Sequence, residues 1–312
     1  MNCVIRRQVL YWVRYIHVKE ALRMKYLIAN STAEVLEFLK EAGGTASILA
    51  GGTDLILDIE SGKKKADTLV DVTRIPELKK IEEVDGFLEI GAAATLTEIQ
   101  KNPLVRKYFP SLAKGCKTVG SSLIQNVATL AGNVITAQPA ADAGMALSVL
   151  DPRFVLVDEE GTRECGVDEM YAGFGVSTLD SGRTLMTKIK IPLPNKNEAA
   201  SFQRLELRKS LSLPMLNVAA MASIKDGKFE WVRLRMAPVG KGPVRAAEAE
   251  EWLVGKEVSA ETFKKAGELA LENANPRSNP LRGSKEYRES TLPVMVRRAL
   301  LEIATQLNVM EG

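Results

Sequence analysis

A short apolar strand that runs directly into two glycines most constrains how this chain folds. The segment "ILAGGTDLILD" (48–58) passes from apolar residues into Gly51-Gly52, and a new apolar stretch follows Thr53 and Asp54. Glycine allows positive φ and lets another group approach the backbone closely. The pattern predicts a strand-to-helix turn capped by Thr53 or Asp54, or a backbone loop that holds an anion. Taken alone, the segment favours the plain turn.

The residues around this turn alternate between strand and helix patterns. The segments "KYLIA", "ASILAGG" and "ADTLVDVT" are typical of short buried strands, and "STAEVLEFLKEAGG" is typical of a helix that begins at Ser31 or Thr32. Such an alternation over about 50 residues is characteristic of a small parallel sheet. We therefore expect an α/β domain over 24–78, preceded by an N-terminal extension, 1–23.

The rest of the chain has sequence patterns typical of antiparallel sheets. In 79–196, "RFVLVDEEGTRECGVDEMY" predicts a hairpin and "GRTLMTKIKIPLP" a strand, with helical segments before them. In 197–312, the turn "KDGK" predicts a second hairpin, and two amphipathic helices lie near the C-terminus. We expect an α+β protein with a middle antiparallel α+β domain and a C-terminal domain of antiparallel sheet and helices.

A second glycine segment, "NVATLAGNVITAQPAAD" (126–142), contains no Lys, Arg or Glu. Thr129, Asn133 and Thr136 supply small polar side chains, and Gly132 supplies a backbone N–H group without side-chain bulk. Backbone N–H groups with such side chains can solvate a pyrophosphate, and Asp142 is placed to accept hydrogen bonds from ribose hydroxyls. Alone, the segment favours a glycine-rich bend inside a domain. Together with the first turn it indicates a long dinucleotide lying between two domains.

Composition excludes several other classes of site. No Rossmann fingerprint and no Walker A loop occurs. The cysteines, Cys3, Cys116 and Cys165, are far apart, which excludes an iron–sulfur or zinc site built from this chain alone. The only histidine is His17, so catalytic triads are excluded from the body of the protein. If the chain serves an enzyme, a cofactor supplies the reactive chemistry.

Charge and hydropathy limit the partners. The net charge is +3, and basic residues in 1–23 account for all of it, so the near-neutral remainder gives no electrostatic case for nucleic acid. No apolar run is long enough for a membrane span. The extension 1–23 is a poor signal peptide; a helix on a membrane surface and a start codon assigned too early remain open alternatives. Reduced thiols fit a cytoplasmic protein.

Both glycine segments belong to motifs that resemble a known family. "AGGTDL" (50–55) and 126–142 are similar to the two flavin-binding signatures of the FAD-binding medium subunit of molybdenum hydroxylases, the group of xanthine, nicotinate and carbon monoxide dehydrogenases. Further similar stretches are "IGAAATLTEI", "KIKIPLP", "APVGKGPVRA" and "RGSKEYRESTLPVMVRRAL". The resemblance implies an FAD-binding module of the PCMH type formed by 24–78 and 79–196, and a C-terminal domain like that of carbon monoxide dehydrogenase flavoproteins, 197–312.

The resemblance also implies cofactor-binding residues. The first signature and its strand should wrap the pyrophosphate and ribityl groups of FAD through Ser47, Ile48, Leu49, Ala50, Gly51, Gly52, Thr53 and Asp54. The second should complete the cradle through Gly120, Thr129, Gly132, Asn133, Thr136 and Asp142. Met186 and Arg204 fall where the family places an apolar residue and a cofactor-reaching lysine, with Gln203 as the alternative to Arg204. The family usually has Gly-Gly where this chain has Ala131-Gly132, which a positive φ at Ala131 would strain.

As a function, the resemblance implies an oxidoreductase subunit that transfers electrons through FAD. A molybdopterin-binding large subunit would oxidise the substrate, a small subunit would carry [2Fe–2S] clusters, and NAD⁺ is one candidate acceptor. Two alternatives stay open: a stand-alone FAD-dependent oxidoreductase acting directly on a small molecule, and an assembly subunit that has lost flavin. No catalytic residue and no metal ligand is assigned.

Overall fold

A computed structural model of the protein describes residues 24–209, 211–280 and 283–310. The N-terminal extension 1–23, with His17 and Cys3, lies outside the described residues. So does Arg282, the first residue of the last family-like stretch.

The first part of the chain forms a three-stranded parallel sheet, as the alternating pattern predicts. The strand order is β1–β3–β2, and both pairings are parallel. Its elements are β1 (Lys25–Ile28), α1 (Thr32–Glu41), β2 (Ala46–Leu49), α2 (Leu55–Glu60) and β3 (Thr68–Asp71). Helix α1 begins where Ser31 accepts a hydrogen bond from the Glu34 amide, and it buries Val35 and Leu39. This small sheet therefore presents the β2–α2 turn at the carboxyl end of its strands.

The middle part is built on a five-stranded antiparallel sheet in the order β4–β5–β10–β6–β7. The strands are β4 (Ile81–Val84), β5 (Phe87–Gly91), β6 (Arg153–Asp158), β7 (Gly161–Cys165) and β10 (Leu185–Pro192), and β8 (Tyr171–Gly173) and β9 (Val176–Ser177) form a separate ribbon. The helices are α3 (Leu96–Lys101), α4 (Pro103–Tyr108), α5 (Pro110–Thr118), α6 (Ser122–Gln125), α7 (Leu130–Ile135) and α8 (Asp142–Leu147), with a 3₁₀ turn at Pro76–Lys79. The predicted β6–β7 hairpin is confirmed.

The last part combines a four-stranded antiparallel sheet with three helices. The sheet runs β11 (Glu198–Glu206), β12 (Pro214–Lys225), β13 (Lys228–Ala237) and β14 (Val244–Arg245). The helices are α9 (Ala247–Leu253), α10 (Ala260–Ala270) and α11 (Lys285–Gln306), with a 3₁₀ turn at Leu271–Asn273. Asp226 and Gly227 both take positive φ between β12 and β13, as the "KDGK" turn predicts.

The C-terminal sheet packs against the middle helices, which fixes the position of the second glycine segment. Phe202, Ala219 and Met221 of this sheet are buried in the same hydrophobic cluster as the middle helices. Its other face packs on α10 and α11 in a separate cluster. None of the helices in the described part of the chain is long and apolar enough to cross a membrane.

Candidate functional site

A cavity of about 830 Å³ opens where the small parallel sheet, the middle helices and the C-terminal sheet meet. Its wall includes all six residues of 50–55, here called the first signature, and part of 126–142, here called the second signature. A cavity of this size lies within the range of about 300–1,000 Å³ that is usual for small-molecule and cofactor sites.

The first signature exposes a row of unpaired backbone donors. The amide N–H groups of residues 51–54 make no hydrogen bond with any acceptor among the described residues. Helix α2 begins at Leu55, and the side chain of its N-cap residue, Asp54, makes no capping hydrogen bond. The predicted cap is therefore absent. Because unpaired N–H groups are costly unless water or a ligand satisfies them, this row is suited to an anionic ligand group.

Gly51 is the point at which the two signatures touch. A Cβ atom at this position would lie 2.2 Å from the carbonyl oxygen of Val127 and 2.7 Å from the Cα atom of Ala128. Only glycine permits backbone to pack on backbone this closely. Gly52 has a different requirement, because its φ of +68° is in the left-handed region that disfavours side chains.

The second signature is a short capped helix where the sequence suggests a loose bend. Thr129 accepts a hydrogen bond from the Gly132 amide at 3.0 Å and so begins α7. Ala131 lies inside this helix, is buried, and does not have positive φ. Alanine therefore stands without backbone strain, and at a helix-favouring position, where the resemblance implies glycine.

Two side chains of the second signature hold its shape. The Asn133 Oδ1 atom accepts a hydrogen bond from the Gly144 amide at 2.9 Å, which joins α7 to α8. The Thr136 hydroxyl donates to the Gly132 carbonyl oxygen at 2.7 Å. Both residues also line the cavity. The second signature thus combines ligand-facing polar groups with internal cross-links.

Asp142 is buried, and both of its carboxylate oxygens are occupied by side chains of the C-terminal sheet. The Arg204 Nε atom donates to one oxygen at 3.0 Å, and the Asn217 Nδ2 atom donates to the other at 2.7 Å. Burial raises the pKa of Asp142 above its usual range, while Arg204 and Asn217 act in the opposite direction. Gln203, the alternative to Arg204, faces away and bonds Ser201 and Glu302.

The structure brings most of the predicted residues to one cavity. Those that line it are Ile48, Ala50, Gly51, Gly52, Thr53, Asp54, Gly120, Thr129, Gly132, Asn133, Thr136, Asp142 and Met186. Ser47, Leu49 and Arg204 lie behind the lining, and the buried Ser47 hydroxyl has no hydrogen-bond partner among the described residues. Met186 sits beside a bulge in β10 and is buried.

Two stretches of the cavity wall were not predicted from the sequence. Residues 211–213 line the cavity, as do Lys63 and Lys64. So do Gly175, Val176, Ser177, Leu179, Ser181, Thr184 and Leu185. Lys63 pairs with Asp58 at 3.0 Å, and Lys64 donates to the Ser181 hydroxyl at 3.0 Å. These segments have no periodic pattern of apolar residues. Their composition was therefore the only sequence feature that could have indicated a place in the cavity wall.

The electrostatic character of the cavity is mixed. Desolvation and the nearby Asp58 carboxylate raise the pKa of Asp54. Behind the second signature, burial raises the pKa of Tyr171 to about 12, so this phenol stays neutral. Besides Lys63 and Lys64, the donors that line the cavity are backbone N–H groups and small polar side chains.

Comparison with known proteins agrees with the geometry. A family model described as the FAD binding domain in molybdopterin dehydrogenase matches residues 22–194, and one described as the CO dehydrogenase flavoprotein C-terminal domain matches 201–303. The chain is 29% identical to the nicotinate dehydrogenase FAD-subunit of Eubacterium barkeri over 84% of this chain and 89% of that protein.

Carbon monoxide dehydrogenase of Hydrogenophaga pseudoflava is similar in both sequence and structure. The chain is 25% identical to its medium chain over 89% of this chain and 96% of that one. A solved structure of that dehydrogenase superposes with a TM-score of 0.84 at 25% identity, over 91% of this chain and 98% of the other.

Proposed function

Since this chain belongs to the family of FAD-binding domains in molybdopterin dehydrogenase, we propose that the cavity between its two signatures is where the cofactor FAD is held. The chain is an oxidoreductase subunit of this family, and FAD is its cofactor. The observation that carries the proposed location is the row of unpaired N–H groups at 51–54, in residues that line the same cavity as the second signature.

The residues present fit a flavin dinucleotide. Its pyrophosphate needs hydrogen-bond donors without bulk, and residues 51–54 supply backbone N–H groups beside the Thr53 hydroxyl. Its ring systems need apolar walls, which Ile48 and Met186 offer. We assign the cradle to Ile48, Ala50, Gly51, Gly52, Thr53, Asp54, Gly120, Thr129, Gly132, Asn133, Thr136 and Met186, with Ser47 and Leu49 supporting it from behind the lining. Asp142 lines the same cavity, whereas Arg204 lies behind the lining and bonds Asp142.

FAD supplies the redox chemistry, because a flavin can take up electrons singly and release them singly or as a hydride. The chain's own residues bind it, orient it and limit the access of water. The groups that line the cavity are small hydroxyls, amides and apolar side chains with a few charged groups at its edge. Electron transfer through this site needs no acid–base side chain, which agrees with the lack of histidine in the body of the sequence.

We further propose that the chain works within a heteromeric complex. Its relative from Hydrogenophaga pseudoflava is named a medium chain, and the relative from Eubacterium barkeri an FAD-subunit. On this basis a molybdopterin-binding large subunit and a [2Fe–2S] small subunit would deliver electrons to FAD, and NAD⁺ or another acceptor would take them up. A cytoplasmic complex is in keeping with the free, buried thiols of Cys116 and Cys165.

We also propose the division into 24–78, 79–196 and 197–312, with 1–23 as an extension. Each of the three intervals contains its own main sheet. The first two meet at the cavity, where Gly51 packs on the backbone at Val127. The third contributes the cavity edge at 211–213.

Native purification tests the proposed function. The affinity-tagged chain is isolated from its own cells, and the flavin, iron and molybdenum contents are measured together with the co-purifying chains. We expect FAD in a ratio of about one per chain and two partner chains that carry the metals; NADH should then bleach the flavin absorption. A flavin-free chain contradicts the cofactor site, and a stable monomer that turns over a substrate alone contradicts the subunit role.

A further inference from the structure

A pair of residues on the C-terminal sheet holds the carboxylate that closes the second signature. Arg204 on β11 and Asn217 on β12 are direct cross-strand partners in the antiparallel register. Each donates to a different oxygen of Asp142, at 3.0 Å from Arg204 and 2.7 Å from Asn217. The two strands therefore contact the same carboxylate from adjacent positions, and we call these three residues the Asp142 clamp.

The guanidinium group of Arg204 has no nitrogen without an acceptor. Its Nε atom donates to Asp142, one terminal nitrogen pairs with Glu206, and the other donates to the Ser212 carbonyl oxygen. The Arg204 side chain is 7% exposed, and it is not part of the cavity lining. A planar guanidinium whose three nitrogens all contact protein acceptors is oriented by the protein and does not extend toward a ligand.

The orientation of the Asn217 side chain shows that it serves to bind Asp142. Only the amide nitrogen can donate to a carboxylate, so that hydrogen bond fixes which way the side chain points. The Asn217 Oδ1 atom is then left fully buried without a hydrogen-bond partner among the described residues. An unsatisfied buried carbonyl oxygen is unfavourable. The hydrogen bond to Asp142 is therefore what keeps the Asn217 side chain in this orientation.

The clamp acts on two parts of the cavity wall. Asp142 begins α8, and the Gly144 amide in the same helix donates to Asn133 of α7, which lines the cavity. Ser212, whose carbonyl Arg204 holds, also lines the cavity. A shift of Arg204 is therefore transmitted both to the second signature and to residues 211–213.

From these contacts we propose that Arg204 and Asn217 are positioning residues for the FAD cavity and act through Asp142 and the Ser212 carbonyl. The C-terminal sheet in this way sets the FAD affinity of a pocket built mainly by the other two parts of the chain. The inference rests on the proposed function, in which this cavity holds FAD.

A double-mutant cycle on the full chain tests the clamp. The FAD-free variants Arg204→Gln, Asp142→Asn and the double variant are titrated with FAD, and flavin fluorescence gives Kd. Arg204→Gln leaves the buried Asp142 carboxylate without a cation, so we expect Kd to rise at least about tenfold. Asp142→Asn leaves Arg204 with Glu206 as its anionic partner, and we expect a smaller rise in Kd. The double variant keeps hydrogen-bonding groups at both positions without the unpaired Asp142 charge, and we expect its Kd to fall at least about threefold below that of Arg204→Gln.

A matched control and a spectrum separate positioning from folding. Arg233→Gln removes an arginine that pairs with Asp151 at the surface and is not part of the cavity wall, so Kd should stay within about twofold. At saturating FAD, the visible circular dichroism of the bound flavin should change in both single variants and return toward the wild-type spectrum in the double variant. A purely stabilising role would alter melting temperatures and leave this spectrum unchanged.

The outcomes are distinct. If the wild-type chain binds FAD and the two single effects simply multiply in the double variant, each residue acts on the ligand separately and the inference is overturned. If the wild-type chain does not bind FAD, the proposed function fails first and the inference with it. Should Arg204→Gln not fold, Asn217→Ala keeps the ion pair. We then expect a rise in Kd of about threefold that is reduced in the Asp142→Asn background, and an unchanged effect in that background contradicts the clamp.

Discussion

The two signatures line one cavity and touch at Gly51, but they are held in place by different means. The first signature depends on backbone: Gly51 packs on the backbone at Val127, Gly52 takes positive φ, and α2 has no side-chain cap and no buried residue. The second depends on side chains, because Thr129 caps α7 and Asn133 joins α7 to α8. The first wall is therefore vulnerable to any added side-chain atom, and the second to the loss of particular polar groups.

The largest effect is expected from Gly51→Ala, which adds a single carbon atom where the two walls touch. Its Cβ atom would lie 2.2 Å from the Val127 carbonyl oxygen, so the signatures must separate. Overpacking of this kind costs about 1–3 kcal/mol, and we expect a melting temperature several degrees lower together with a Kd for FAD raised at least about tenfold.

Gly166→Ala is the matched control for this substitution. A Cβ atom there would have ordinary contacts of 3.6 and 3.8 Å, and the residue lies outside the cavity lining. Thermal unfolding and FAD titration compare the two variants. Equal behaviour of both would show that the walls do not depend on the close approach at Gly51.

An intermediate effect is expected from Thr129→Ala, which removes the side-chain cap of α7. Loss of an N-cap hydroxyl costs about 1 kcal/mol, and here the same group faces the cavity. We expect a lower melting temperature and a weaker affinity for FAD, with Thr129→Ser close to wild type in both measurements.

Ser31→Ala provides the comparison for the cap. Ser31 caps α1 in the same way but is not part of the cavity wall. It should lower the melting temperature to a similar extent and leave the Kd for FAD unchanged. If Ser31→Ala weakens FAD binding as much as Thr129→Ala does, capping acts only through global stability.

The smallest effect on stability is expected from Asp54→Ala. Asp54 occupies the N-cap position of α2 without making a capping hydrogen bond, so little is lost from the fold. We expect the free energy of unfolding of the FAD-free protein to change by less than about 0.5 kcal/mol. A loss as large as that of Thr129→Ala would mean that the first signature also depends on its side-chain cap.

The sequence predicted the elements whose patterns are local. The alternation around the first signature predicted the parallel sheet, and the "KDGK" turn predicted the β12–β13 hairpin; both are confirmed. The glycines and the nearly uncharged composition also indicated both signatures. Glycine is the residue type that lets another group approach the backbone closely, so this need is visible in the sequence.

The remaining features depend on contacts between distant parts of the chain. The helical state of Ala131 follows from the cap at Thr129, and a single sequence did not decide between this helix and a bend. The partners of Asp142 come from strands more than sixty residues later, so its engagement with Arg204 had no local signal. The polar wall at 175–185 has no periodicity that a sequence pattern could reveal.

One substitution tests the central claim, that FAD lies between the two signatures, most directly. A Cβ atom at Gly132 would meet only the Thr129 hydroxyl, at 3.0 Å, and the backbone there is helical. Gly132 lines the cavity, so Gly132→Leu adds a bulky side chain to the wall at a position where leucine favours helix by about 0.5–1 kcal/mol over glycine. Gly166→Leu is the control outside the cavity.

The measurement is the Kd for FAD of the two leucine variants, together with the melting temperature of each FAD-free protein. We predict that Gly132→Leu raises Kd at least about tenfold while its melting temperature stays near that of wild type, and that Gly166→Leu leaves Kd unchanged. Equal FAD affinity in both variants, at equal melting temperature, would contradict a flavin held between the two signatures.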